Sequence, residues 1–167
     1  MTEKQENNLA LGLIGGIGLT TVLLLIGKAA KGGSSFKSDY WGLENITATS
    51  QTTPEAHPEQ YNPPKEVIIA AQYINDNLLE PLLRDYVPFL VSSWYRSPFV
   101  NQAVGGVSNS HHKYGRAVDL IPVGMNNGDL INVISSSGLP FTKLINEGDH
   151  VHAVLVDGRD YENIIID

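Results

Sequence analysis

Four of the five histidines of the chain lie in two short clusters, residues 110–119 and 149–152, and each cluster also contains an aspartate. A histidine, a carboxylate a few residues later and a distant histidine supply three ligands for a zinc ion. The fourth tetrahedral position then stays open to water, as catalysis requires. A structural zinc site is closed by four side chains, often thiolates, and this chain has no cysteine. The two clusters therefore predict a divided, open zinc site.

The local sequence of both clusters is typical of β-strands. Residues 117–121 have the composition of an apolar strand that contains Asp119. A buried carboxylate is costly unless it is paired, hydrogen-bonded or bound to a metal, so Asp119 needs such a partner. Residues 150–156 alternate and place His150 and His152 on a common face. Both histidines are therefore predicted to point toward the same place.

The elements that carry these clusters are expected in one compact domain over residues 63–167. Pro63 and Pro64 open a predicted helix, which Pro81 bends or restarts. Its apolar residues recur every three or four positions: Val67, Ala71, Ile74 and Leu78. Further helices are predicted over 99–104 and 130–134, and strands over 89–91, 141–145 and 164–166. This order favours an α+β fold, with a mainly antiparallel sheet and flanking helices.

Several runs of the sequence match a known pattern in the same order and with compatible gaps. They are residues 79–85, 91–101 and 104–106, the pattern Ser-x-His-x-x-Gly-x-Ala-x-Asp over 110–119, and Val-His at 151–152. Together they resemble the M15 peptidases, which are zinc D-alanyl-D-alanine carboxypeptidases and related peptidoglycan endopeptidases, some of them phage-encoded. The resemblance implies the M15 or hedgehog-like fold and zinc-dependent hydrolysis of peptidoglycan peptides, a form of cell wall degradation.

The resemblance also assigns the metal ligands and the proton acceptor by position. It makes His112, Asp119 and His152 the zinc ligands. Asp149, three residues before the last ligand, takes the place of the family's catalytic carboxylate, and Glu147 is the rival for that role. Zinc lowers the pKa of bound water from 15.7 to about 7, and a carboxylate beside it can accept the proton.

Two more residues receive roles from the resemblance. Arg96 matches an arginine that holds the substrate or its oxyanion, and His150 matches a histidine that lines the site in some members. A guanidinium can stabilise an oxyanion, or bind a terminal carboxylate through two hydrogen bonds. The alternative for Arg96 is a structural salt bridge to one of the acids of the chain. Many relatives have tryptophan at the position of His150, so the pocket wall differs here.

Residues 9–27 are predicted to form a transmembrane helix, preceded by a leader over residues 1–8. No charge occurs in residues 9–26, and a helix of that length reaches about 27 Å, enough for the hydrocarbon core of a bilayer. A cleaved signal peptide is the alternative, but the leader lacks a positively charged region. Gly12 and Gly16 form a small-xxx-small pair, which is a weak indication of homo-association.

Residues 28–62 are rich in glycine, serine, threonine, proline and glutamine and are predicted to be a flexible tether. Tyr40, Trp41 and Leu43 leave an alternative open, because such residues can dock on a membrane interface or on the domain.

The orientation of the predicted helix is ambiguous. Lys28, Lys31 and Lys37 follow the helix and only Lys4 precedes it, so the positive-inside rule favours a cytoplasmic domain. Peptidoglycan lies outside the cytoplasm. We therefore expect an extracytoplasmic domain, either periplasmic or on a virion membrane.

Composition excludes several classes of function. The net charge of -7 and the pI near 5.1 argue against a nucleic-acid partner, since phosphate binding requires a basic surface. Neither a phosphate-binding glycine loop nor a nucleophile elbow is present. The leading prediction is a membrane-anchored zinc peptidase. The alternatives are a cell-wall-binding module with weak or no turnover and a structural membrane protein of a phage virion.

Overall fold

The computed structural model describes residues 36–156 and 164–166. The helices are α1 (Leu43–Ile46), α2 (Pro58–Tyr61), α3 (Lys65–Ile74), α4 (Glu80–Asp85), α5 (Pro98–Ala103) and α6 (Asn127–Ser137), with a π-helical turn at Asn75–Leu79 and a 3-10 turn at His111–Tyr114. The strands are β1 (Phe89–Ser93), β2 (Ala117–Pro122), β3 (Lys143–Asn146), β4 (Val151–Val154) and β5 (Ile164–Ile166).

The five strands form one mixed sheet in the order β1-β2-β4-β3-β5. Three of the pairings, β1 with β2, β2 with β4 and β3 with β4, are antiparallel, and β3 pairs with β5 in parallel. The predicted α+β fold with a mainly antiparallel sheet is therefore confirmed. In this register Asp119 on the interior strand β2 lies opposite His152 on β4 and opposite Ser93 on β1.

The two faces of the sheet have different tasks. Val118, Leu120 and Ala153 belong to the main hydrophobic core. Asp119 and His152 alternate with these residues along their strands and therefore point to the other face. The helices contribute to the same core, with Val67, Ala71 and Ile74 from α3, Leu82 from α4, and Leu130, Ile131 and Ile134 from α6. Burial of the apolar face of the sheet thus fixes the strands, and the strands position Asp119 and His152 on the opposite face.

The long helical stretch confirms the predicted spacing and shows how the chain passes a proline. Val67, Ala71 and Ile74 are buried as expected, and Leu78 follows them in the π-helical turn. Pro81 lies in the first turn of α4 and cannot donate a backbone hydrogen bond. The wider π-helical turn directly before α4 accommodates the missing hydrogen bond, and the helical stretch continues without a break.

The prediction of a flexible tether over residues 28–62 is wrong for residues 36–62, which we call the strap. The rings of Phe36 and Trp94 pack at right angles with centroids 5.9 Å apart, and Trp41 stacks on Phe89 at 6.1 Å. Ile46 is completely buried in the main core. These apolar side chains, although few, bury enough surface to hold a segment whose composition is otherwise typical of a linker.

The docking of Trp41 and Leu43 on the domain, left open by the sequence, is confirmed, because both side chains pack against the main core. The compact part of the chain therefore begins before the predicted boundary at residue 63. The predicted leader, transmembrane helix and Gly12–Gly16 pair lie outside the described residues. Over residues 36–156 and 164–166, no helix combines the length and the apolar character needed to cross a membrane.

Candidate metal centre

The first histidine cluster begins in a short turn that leads into strand β2. His112 lies in the 3-10 turn, which ends at Gly115 in the left-handed region at φ 68°. A Cβ atom at Gly115 would lie 2.5 Å from the carbonyl oxygen of Val67 in α3. Only glycine fits this conformation and this close approach without strain. The turn then leads into β2, and Asp119 follows within the strand.

Three side chains meet at the predicted site. His112 Nε2 lies 3.1 Å from Asp119 Oδ1 and 3.2 Å from His152 Nδ1, and His152 Nδ1 lies 2.9 Å from Asp119 Oδ1. Zinc bonds of 2.0–2.1 Å at tetrahedral angles place ligand atoms about 3.3 Å apart. The donor set and its spacing therefore fit a zinc ion, and among the described residues these three are the group that could hold a metal. The predicted ligands come together as expected.

The surroundings of His112 prepare it for this role. Its Nδ1 donates to the carbonyl oxygen of Trp94 at 2.6 Å, which leaves the lone pair of Nε2 for a metal. Burial is the main reason that the pKa of His112 is lowered, and it favours the neutral ring. Neutral imidazole is the form that binds metal. The ligand is thus fixed in tautomer, orientation and charge by the end of β1.

Asp119 is buried, with 2% of its side chain exposed. Burial alone would raise its pKa, but the interactions with His112, His150 and His152 outweigh this effect and hold the pKa well below the usual range. Oδ1 faces the histidines, whereas Oδ2 accepts a hydrogen bond from Arg96 Nη2. One carboxylate oxygen of Asp119 is therefore directed toward the metal position and the other toward the guanidinium of Arg96.

Arg96 forms the salt bridge that the sequence left open as its alternative role. Besides its ion pair with Asp119, its Nε donates to Ser93 Oγ at 2.8 Å. The guanidinium is largely buried, with 19% of the side chain exposed. This contact brings a fixed positive charge next to the three ligands.

His150 is the third histidine at the site. Its Nε2 lies 3.4 Å from Asp119 Oδ1 and 3.2 Å from Glu147 Oε2, and its Nδ1 lies 2.7 Å from Asp149 Oδ1. The interaction with Asp119 raises the pKa of His150 to about 9, against the opposing effect of burial and with help from Asp149. The ring therefore connects the buried ligand to both candidate proton acceptors.

The two candidate acids occupy different edges of the His150 ring. Asp149 contacts the outer nitrogen and leaves 88% of its side chain exposed. Glu147 contacts the nitrogen that faces Asp119 and is 45% exposed. The structure thus places both acids at the border of the site, with Glu147 on the edge closer to the ligands. Spacing along the sequence gave no information on this difference.

A residue that sequence reasoning missed holds the loop that carries these acids. Asn127, at the start of α6, donates through Nδ2 to Asn146 Oδ1 at 3.0 Å and to the carbonyl oxygens of Gly148 and His150 at 3.1 Å. The backbone N–H of Glu147 also donates to the His150 carbonyl at 3.0 Å. An asparagine at a helix start looks like a cap, so the sequence contains no signal for this tertiary contact.

Comparison with known proteins now gives this fold and site a class. The family model described as Peptidase M15 matches residues 40–154, and the chain therefore belongs to this family. The chain is also similar to the zinc D-Ala-D-Ala carboxypeptidase of Streptomyces albus G, with 36% identity over 77 residues. That match covers 43% of this chain and 29% of the relative, so it spans less than a third of the relative's length.

Proposed function

We propose that this chain is a zinc metallopeptidase that hydrolyses peptide bonds in peptidoglycan, in stem or cross-link peptides, as a D,D- or L,D-type carboxypeptidase or endopeptidase. The observation that carries the proposal is the cluster of His112, Asp119 and His152. It supplies three ligands at zinc spacing and lies beside a buried guanidinium and two carboxylates. Membership in the Peptidase M15 family and the similarity to the zinc D-Ala-D-Ala carboxypeptidase of Streptomyces albus G support the same reaction and substrate class.

Zinc held there would polarise the scissile carbonyl and acidify water, which is the chemistry that the ion itself supplies. The residues of the chain then have separate tasks. Asp149 is the proposed proton acceptor, and His150 connects it to Asp119 through contacts of 2.7 and 3.4 Å. Glu147 remains the rival acceptor, because it contacts the inner edge of the same ring. A carboxylate that takes the proton as the bond is attacked contributes typically about a hundredfold to ten-thousandfold in rate.

Arg96 supplies positive charge to the substrate in this proposal. Its guanidinium lies next to Asp119 and is only partly exposed, so it works in an environment with less water than the surface. A charge in such a place stabilises a developing oxyanion, or a terminal carboxylate, more than an exposed charge does. The terminal carboxylate would be the ligand in a carboxypeptidase, whereas an endopeptidase would use the guanidinium for the oxyanion alone.

We further propose that residues 9–27 anchor the protein in a bilayer and that the peptidase domain is extracytoplasmic. The support is the uncharged apolar sequence and the location of peptidoglycan. Residues 28–35 lie between the proposed helix and residue 36 of the strap. Eight residues span at most about 29 Å, so the domain would act close to the membrane. The measurement is carbonate extraction of membranes, followed by protease accessibility in spheroplasts. Protection of the domain from external protease would contradict this orientation.

Digestion of purified cell wall tests the proposed reaction. The full chain, with one equivalent of zinc confirmed by elemental analysis, is incubated with sacculi and with a defined muropeptide pentapeptide, and products are identified by mass spectrometry. Release of D-alanine indicates a carboxypeptidase, and loss of cross-linked dimers indicates an endopeptidase. Chelation should abolish either product and zinc should restore it. Co-sedimentation with sacculi without any product would instead favour the binding module.

A further inference from the structure

Gln60 of the strap is completely buried beneath the turn that follows β1. Its Nε2 donates to the carbonyl oxygens of Thr47 at 2.9 Å and Tyr95 at 3.0 Å, and its Oε1 accepts from the backbone N–H of Ser97 at 2.7 Å. The orientation of the amide is fixed, because both neighbours of Nε2 are acceptors and the neighbour of Oε1 is a donor. One side chain thus satisfies three buried backbone groups from two segments.

The turn that Gln60 holds, residues 94–97, carries two contacts to the metal centre. The Trp94 carbonyl accepts from His112 Nδ1, and the Arg96 side chain donates to Asp119. The backbone N–H of Arg96 also donates to the His112 carbonyl at 3.2 Å. Both of the buried ligands are therefore oriented from this one turn.

The two bonds from Gln60 to the turn are placed on either side of Arg96. One goes to the carbonyl of Tyr95, the residue before it, and the other to the N–H of Ser97, the residue after it. The strap adds a backbone bond, from the Tyr95 N–H to the Ile46 carbonyl at 3.0 Å. With the peptide units on both sides held, Arg96 has little freedom to turn away from Asp119.

We propose that Gln60 is a positioning residue for the metal centre: through the 94–97 turn it sets the Trp94 carbonyl that orients His112 and the direction of the Arg96 guanidinium. The expected effect of Gln60 on turnover rests on the proposed function. The expected effect of Gln60 on metal binding does not. The strap is then part of the active-site machinery, because the residue that fixes the turn comes from it.

The substitution Gln60→Met tests the role, since methionine keeps the approximate shape and removes all three hydrogen bonds. Gln72→Met is the matched control. Gln72 also binds the strap, donating to the Lys37 carbonyl and accepting from the Lys37 N–H, both at 2.7 Å, but these hydrogen bonds do not involve residues 94–97. Both variants loosen the strap, and only the first releases residues 94–97.

We expect Gln60→Met to lower kcat on a muropeptide by at least tenfold and to weaken zinc binding several-fold, measured well below the Tm of each variant. The absorption spectrum of the cobalt-loaded protein should change as well, because the orientation of His112 changes. Gln72→Met should leave all three quantities within about twofold of the wild type, although both variants lower the Tm.

Each outcome decides a different point. If Gln60→Met lowers only the Tm and leaves zinc affinity, cobalt spectrum and kcat unchanged, Gln60 has a structural role and the proposal is wrong. If the wild type does not hydrolyse cell wall at all, the proposed function fails, while zinc affinity and the cobalt spectrum still test positioning. If Gln60→Met does not fold, Gln60→Asn, which keeps the amide one methylene shorter, is compared with Gln72→Asn by the same criteria.

Discussion

The two halves of the metal centre are built in opposite ways. His112 and Asp119 are almost fully buried, with 1% and 2% of their side chains exposed, and lie just before and within β2. Asp149 and Glu147 lie in the loop between β3 and β4 and are exposed by 88% and 45%. The ligand half is held by backbone hydrogen bonds and strand register, whereas the acid half depends on the side chains of Asn127 and Asn146 and one backbone bond.

This difference follows from what each half does in the proposed reaction. Metal ligands must keep fixed distances, which burial and a sheet provide. A group that exchanges protons with water must be accessible, and such a group belongs in a loop at the surface. We therefore expect substitutions in the ligand half to affect metal binding, and substitutions in the acid half to affect turnover while the metal is retained.

Loss of a ligand should have the largest effect. We expect His112→Ala or His152→Ala to remove zinc and reduce hydrolysis to background, since two ligands cannot hold the ion in place. Elemental analysis of the purified variants measures the zinc. His111→Ala is the control, because it changes the neighbouring histidine outside the three ligands, and it should keep the metal. Full zinc occupancy in His112→Ala or His152→Ala would disprove the ligand assignment.

Removal of the proton acceptor should affect turnover alone. We expect Asp149→Asn to keep zinc and to lose about a hundredfold to ten-thousandfold in kcat, the usual contribution of general-base catalysis. Glu147→Gln, which makes the same change on the inner edge of His150, is the paired variant and should lose much less. If Glu147→Gln loses more kcat than Asp149→Asn, Glu147 is the proton acceptor.

The loop that carries the acids should respond to its support. Asn127→Ala removes the hydrogen bonds to the carbonyls of Gly148 and His150. We expect a decrease in kcat of about tenfold with unchanged zinc content, because the acids lose their position and the ligands do not. Asn132→Ala in the exposed part of α6 is the control. Equal activity of Asn127→Ala and the wild type would show that the loop keeps its shape without this side chain.

The smallest effect should come from the outer end of the strap. Glu80 accepts from Ser38 Oγ, Asn75 Nδ2 and the Asp39 N–H, and although burial opposes them, these hydrogen bonds hold its pKa below the usual range. A carboxyl whose pKa is lowered on folding stabilises the fold above its unfolded pKa, and this contribution disappears as the pH falls through the lower folded value. We expect Glu80→Gln to reduce the free energy of unfolding by about 1 kcal/mol at neutral pH.

The dependence on pH provides the measurement for Glu80. Chemical denaturation of wild type and Glu80→Gln at a series of pH values should show the difference shrink as the pH decreases below about 4.5, where the unfolded carboxyl becomes protonated. Asp39→Asn, which removes a neighbouring, exposed charge, is the control. Its free energy of unfolding should stay close to that of the wild type at every pH. A difference that is independent of pH would mean that shape, and not charge, determines the effect. Activity should not change in either variant.

The sequence predicted the ligand half well because its signals are local. The alternation of residues 150–156 placed His150 and His152 on one face, and the apolar composition of residues 117–121 made Asp119 a carboxylate that needs a partner. Helical spacing predicted the burial of Val67 in the same way. Periodicity of this kind reflects the geometry of a single element and needs no knowledge of what packs against it.

The strap and the acid half could not be predicted, because their structure depends on contacts between distant parts of the chain. The strap has a linker's composition, and only its tertiary contacts, such as that of Trp41 with Phe89, show that it is ordered. Gln60 and Asn127 act through backbone groups, which carry no sequence signal. The direction of the loop that carries Asp149 is likewise set by tertiary contacts.

The register that pairs Asp119 with His152 across β2 and β4 has a consequence for the order in which the protein assembles. His112 and Asp119 are 7 positions apart and can approach each other early, whereas His152 is 33 positions beyond Asp119 and arrives only when β4 joins the sheet. A chain that has formed β2 alone offers two ligands, and the completed sheet offers three. Zinc binding therefore reports closure of the sheet. Because the ion binds the closed form more tightly, it also acts as a template that selects the correct strand pairing over its competitors.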